Sequence, residues 1–228
     1  MILSVAALAI YESSVGNATT PVALHEVEPV EEVAPTPVAT PAEMVEEWVI
    51  SRFDPIMQKV GEEEGQDWRL MSAIAYSESR FIENLVSSQG AAGIMQIRPV
   101  VARHFNVPVD DIDDTETNIR LAGMLLTELA DMLRIPAATP TEDRLSIILA
   151  SYNAGIGHIF DAMALAEKYG KNKYLWDNNV ETFILLKSSE EYFNDPVCKN
   201  GYFRGRETYN FVKDILGRAE MYKQKIKD

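Results

Sequence analysis

A mainly α-helical fold is what this chain predicts, and three observations predict it. Apolar residues recur three and four apart in the long segments after residue 43, as in Ile119, Ala122, Leu125, Leu126, Leu129 and Leu133. Residues suited to helix starts, Asp67 and the run from Thr139, stand ahead of those segments. Alternation of apolar and polar residues, the mark of a half-buried strand, is scarce throughout. With 228 residues, 46% of them hydrophobic, the chain is long enough for one well-cored domain.

Taken in order, Ile2 to Tyr11 is an apolar stretch followed by small and polar residues that include Gly16-Asn17-Ala18. It is too short to cross a bilayer as a helix. Its length suits a signal-peptide core, although no positive residue precedes it, so residues 1–18 read as an export signal or a shortened anchor. Residues 19–42 carry Pro21, Pro29, Pro35, Pro37 and Pro41 among Val, Ala, Thr and Glu, which predicts a disordered Pro/Glu-rich linker. The folded domain is expected over 43–228.

Its first helix should begin near Glu43, with Val45, Trp48, Val49, Phe53 and Ile56 on one face and Pro55 bending or breaking it. Asp67 is placed to cap the next helix, which ends at Glu78. A glycine-bearing loop, a short helix after Pro99 and the long Ile119–Leu133 stripe follow. Thr139-Pro140-Thr141-Glu142 reads as a capping box with proline at the first helical position. The helix it starts turns Ile147, Ile148 and Tyr152 inward together. Another runs from Ile156 to about Lys168, then a less regular stretch from Gly170 to Tyr202. The last helix, Arg206 to Lys225, should set Phe211, Ile215 and Ala219 on one face.

The formal charge of −14 is unevenly placed. Eight glutamates precede Arg52, the first basic residue, and the remaining excess is spread over the domain. No basic stripe is left to track a phosphate backbone, so the composition points away from nucleic acid. Cys198 is the only cysteine, which rules out an internal disulfide and any four-cysteine metal site. His25, His104 and His158 lack metal-ligand spacing, and the sequence points to no metal and no cofactor. The acidic run Asp110 to Glu116 lacks the glycine and terminal glutamate of a calcium loop and directly precedes a helix, so capping is its expected job.

Glu78 is the carboxylate that stands apart. Leu70, Met71, Ile74 and Ala75 recur at helical spacing, and Ile74 and Glu78 are four apart on one face. A carboxyl group at the inner end of such a stripe loses water, which disfavours its charged form and raises its pKa. Cleavage of a glycosidic bond needs such an acid. A lone Glu more often reaches solvent, since Glu is seldom buried without a partner. Two later segments add weight: Ser87-Ser88-Gln89-Gly90-Ala91-Ala92-Gly93-Ile94-Met95-Gln96-Ile97, small and glycine-spaced, and Ala150-Ser151-Tyr152-Asn153-Ala154-Gly155.

In this order, and with Glu207-Thr208 opening the last helix, these motifs resemble the catalytic domain of lytic transglycosylases of the soluble (SLT) type, from about Leu70 to about Val212. The segment from Gly201 to Val212, with the long insertion before it, looks most like the branch typified by membrane-bound lytic transglycosylase F. The resemblance implies a lysozyme-like domain exported to the bacterial cell envelope, acting on peptidoglycan glycan strands. It implies Glu78 as catalytic acid and then base, Ser87 and Gln96 as sugar contacts, Met95 as cleft floor, and Tyr152 and Asn153 as the opposite wall. Met95 as plain core and Ser87 as a turn-stabilising hydroxyl remain open beside these roles. Glu207 and Phe211 would support the cleft structurally. Glu83 and Phe211 depart from the family's proline and tyrosine. A hydrolase of goose-lysozyme type and a glycan-binding protein without turnover are the alternatives. A membrane contact would run through the N-terminal segment.

Overall fold

The computed structural model describes residues 48–226. The expected leader, the linker, His25 and the helix start at Glu43 lie outside the described residues. Helices dominate: α1 (Asp54–Glu64), α2 (Trp68–Ser79), α3 (Pro99–His104), α4 (Thr115–Leu133), α5 (Thr141–Ala154), α6 (Ile156–Lys168), α7 (Glu181–Leu186), α8 (Glu190–Phe193) and α9 (Gly205–Lys225). Among the described residues extended pairing is limited to isolated bridges, Val86 with Ala92 and Ala92 with Ile97.

The core is built around α2. Leu70, Met71, Ser72, Ala73, Ile74 and Ala75 are all buried, so this helix is enclosed on more than one side. Its small residues let neighbours approach: α9 and α1 pack on it, α4 packs on α1, and α5 packs on α9. On α9 the buried residues Thr208, Val212, Ile215, Ala219 and Tyr222 follow each other at alternating steps of four and three, the spacing of one helical face. Phe211, expected on that face, is half-buried at its flank.

Several starts and stops differ from expectation. Trp48 and Val49 are not helical; α1 begins at Asp54, and Pro55 opens it rather than bending it. The Asp54 carboxylate accepts the Ile50 N–H at 2.7 Å and the Ser51 N–H at 2.9 Å, which turns the chain into the helix. Trp48 lies instead against Tyr222 of α9, ring centroids 5.9 Å apart. The capping box at Thr139 does not form. Pro140 itself occupies the cap with no side-chain bond, and Asp143 of the first turn accepts the Trp176 N–H at 2.6 Å. Asp67 and Asp114 do cap α2 and α4, accepting the N–H of Arg69 and of Thr117 at 2.9 Å each. The acidic run therefore ends in a cap.

Candidate active site

The C-terminal turn of α2 places Glu78 beside the glycine loop and the end of α5. Glu78 is half-buried, and burial alone pushes its carboxyl from 4.5 to about 7. Among the described residues it accepts no hydrogen bond and pairs with no cation, so nothing offsets the loss of water. The chain then leaves the helix through two residues in the left-handed region, Arg80 at φ 55° and Phe81 at φ 62°. Such backbone is uncommon for side chains other than Gly, Asn and Asp and has to be held by its surroundings. The Arg80 N–H caps the helix on Tyr76 O at 3.1 Å.

Three side chains, from α2, α5 and α4, hold the glycine loop in place. The Ser79 hydroxyl, buried directly after the acid, donates to Ile94 O at 2.8 Å. Tyr152 of α5 donates its phenol proton to Met95 O at 2.8 Å. Burial and then the Glu78 carboxylate push that phenol well above its ordinary value, so it stays protonated and keeps the bond. Asn118, fully buried on α4, accepts the Met95 N–H at 2.8 Å and donates to Ala92 O at 2.9 Å and Ile112 O at 3.0 Å. Gly93 is needed twice over: its φ is 77°, and a Cβ there would lie 2.3 Å from Asn118 Nδ2.

The residues singled out from sequence are placed as follows. Glu78 and Tyr152 are close enough for the charge of one to act on the other. The Ser87 hydroxyl accepts the Ala91 N–H at 3.0 Å and the Gln89 N–H at 3.3 Å, the turn-stabilising arrangement, and keeps its own proton to donate. Gln96, itself at φ 50°, donates from Nε2 to Leu85 O and Gly93 O at 2.9 Å each, which braces the loop and leaves Oε1 as its open acceptor. Met95 corrects the expectation of a cleft floor: its side chain has no exposed surface, and it is core. Its contribution to the site is the carbonyl that holds Tyr152.

Asn153 is exposed at the end of α5, and its Oδ1 accepts the Thr208 hydroxyl at 2.7 Å. Glu207 is a second correction. Its side chain is 77% exposed, with Arg204 as its nearest opposite charge at 3.8 Å, so it braces no wall. The helical period explains the swap: on α9 position 208, not 207, shares a face with buried Val212 and Ile215. Glu83, one of the two departures from the resembled pattern, pairs with Arg52 and accepts the Thr115 hydroxyl at 2.8 Å.

Sequence reasoning missed Asn118 and Thr208. A signal for Asn118 was present, since it stands three and four residues before Leu121 and Ala122, inside an apolar stripe where a polar side chain must find partners.

Residues 55–175, more than half of the 228, match the Transglycosylase SLT domain. The chain belongs to this family. Among relatives of the SLT family, the membrane-bound lytic murein transglycosylase F of Desulfosudis oleivorans is 34% identical over 176 residues, 77% of this chain and 37% of the relative. That of Haemophilus influenzae is 33% identical over 167 residues, 73% of this chain and 33% of the relative. The chain thus spans about a third of the length of these curated relatives. The 70-kDa soluble lytic transglycosylase, solved with bulgecin A, shares the fold at a TM-score of 0.50 and 22% identity, over 78% of this chain and 25% of that one.

Proposed function

We propose that this SLT domain is a peptidoglycan lytic transglycosylase in which Glu78 acts twice. The observation that carries the reading is the Glu78 carboxyl itself, half-buried, without countercharge and titrating at about 7. Near neutrality a useful fraction of it is protonated, as a general acid requires. Glu78 donates its proton to the oxygen of the β-1,4 bond between N-acetylmuramic acid and N-acetylglucosamine. The carboxylate so formed takes the proton from the C6 hydroxyl of the same muramic residue, and that oxygen closes on C1. The product is a 1,6-anhydro-muramic end, and no water is consumed. The nucleophile belongs to the substrate, so its approach is intramolecular.

Two features support the single-residue scheme. A retaining glycosidase with two carboxylates holds them about 5 Å apart, and each then perturbs the other. The Glu78 shift has burial as its cause, with no carboxylate contributing. The loop and α5 carry polar groups suited to a sugar: the Ser87 hydroxyl, Gln96 Oε1 and the Asn153 amide. These are the groups assigned to hold the sugar. The site lies in the cell envelope under this reading, reached by export through the N-terminal segment.

Mass spectrometry of purified peptidoglycan after digestion tests the reaction. Anhydro-muramic ends are the expected result. Products heavier by one water, with reducing ends, would establish a hydrolase of goose-lysozyme type. Undigested but bound glycan would establish a binding protein.

A further inference from the structure

Away from Glu78 the molecule holds a buried ion pair that single-acid catalysis does not use. Lys187, directly after α7, has no exposed surface, and Asp161 of α6 is 2% exposed. The Lys187 ammonium donates to Asp161 Oδ2 and lies 3.2 Å from His158 Nδ1. The same carboxylate accepts the backbone N–H groups of Lys199 and Asn200 at 2.9 Å each, and Asn200 Nδ2 at 3.0 Å. Burial works to raise the Asp161 carboxyl, but the Lys187 and backbone donors outweigh it and hold it below its usual range. Burial and the Lys187 charge hold His158 low, so the imidazole stays neutral and accepting at neutral pH. A pair this dry is a weak source of net stability, because desolvating both charges offsets their attraction. What it does achieve is to fasten the chain at 199 and 200 beside α6.

From there the backbone is pinned at successive points up to the cleft wall. The Phe203 N–H donates to Lys187 O at 3.2 Å, and its ring stacks on His158 with centroids 4.4 Å apart. Gly205, which opens α9, is pressed so close to α7 that an added Cβ would lie 1.8 Å from Ile184 O. Three residues on, Thr208 donates to Asn153 Oδ1. That bond holds the Asn153 amide in place by one end and leaves its other end for a ligand.

We propose that the Asp161–Lys187 pair positions the cleft wall: it seats residues 199–205 against α6, thereby sets Thr208, and through Thr208 holds the Asn153 amide toward an acetamido group of the glycan. Asp161 and Lys187 are positioning residues and touch no substrate. The inference rests on the glycan-cleaving reading and deepens it.

A double-mutant cycle between Asp161→Asn and Thr208→Val tests it, with kcat and KM measured on N-acetylated and on de-N-acetylated glycan at a temperature where each variant is folded. Each single change should lower kcat/KM on acetylated glycan by ~10-fold, the double change by about the same ~10-fold, and both should erode the preference for acetylated glycan. Thr208→Ser should recover that preference. Effects that multiply, or a lowered melting temperature with unchanged kcat/KM and preference, would overturn the proposal. Should Asp161→Asn fail to fold, Asn200→Ala removes bonds to Asp161 and to Gly157 O and takes its place in the cycle. A wild-type protein that cleaves no peptidoglycan would overturn the functional reading and this one with it, whereas independent effects in an active enzyme would sink the positioning alone.

Discussion

Glu78 differs from Asp67, Asp114 and Asp195 in what replaces water around it. Each of those carboxyls accepts a backbone N–H and is held below its usual range. Glu78 is half-buried, accepts nothing among the described residues, and is raised to about 7. Its effect on stability has the opposite sign to theirs. An acid raised on folding favours the folded state in its protonated form, so stability is lost as pH rises from about 4.5 toward 7 and above. Glu78→Gln should therefore raise the melting temperature at pH 8 by more than at pH 5, equivalent to on the order of 1–3 kcal/mol. The same change should lower turnover by ~100-fold or more with glycan affinity largely kept. A variant retaining more than a few per cent of wild-type rate would identify another residue as the acid. For the wild type, kcat/KM should fall as pH rises through about 7, as Glu78 loses its proton. Phe211 is half-buried on α9, at the position where the resemblance implies a tyrosine. Phe211→Tyr should raise kcat and shift the Glu78-governed limb of the pH profile to lower pH, as expected of a hydroxyl that stabilises the carboxylate. An unmoved profile would make position 211 a packing contact only.

Among the elements, the glycine loop depends most on a side chain outside itself. Asn118 satisfies the Met95 N–H and two carbonyls from the middle of α4, and no neighbour can replace it because Gly93 already closes on its amide. Asn118→Leu should cost about 2–4 kcal/mol in denaturant unfolding, since it leaves buried polar groups unpaired and meets Gly93 as well. Turnover should fall in the same variant, because Met95 O then no longer fixes Tyr152. Wild-type turnover together with the stability loss would separate the loop from the chemistry. The helices themselves were legible because the apolar period holds over α2, α4, α6 and α9, with Asp67 and Asp114 capping the first two. Boundaries failed where a local rule met a tertiary competitor. The capping box at Thr139 gave way to Pro140 as the cap while Asp143 of the first turn accepts from Trp176, some thirty positions along the chain, and Trp48 left its expected helix for Tyr222. Neither partner can be seen by reading neighbours in sequence.

For the molecule as a whole, charge sets a pH window. Asp67, Asp114 and Asp161 are held low on folding, so the stability they supply is present above their unfolded values near 4 and is lost as pH falls below them. Glu78 removes stability as pH rises from about 4.5 to about 7. Melting temperature should therefore peak at about pH 5, with a steep acid side and a gradual decline toward pH 7; a maximum above pH 8 would contradict this ordering. The order of the motifs, the helical class and the inward tendency of Glu78 followed from the sequence by itself, because each depends on spacing along one helix or one loop. Tertiary structure alone decided that Met95 is core, that Thr208 rather than Glu207 reaches Asn153, that Asn118 holds the loop, and that Lys187 is buried against Asp161. The reason is common to all four. A side chain's role is settled by which distant surface closes over it, and that closure joins residues from 23 to 55 positions apart, separations over which local periodicity carries no information.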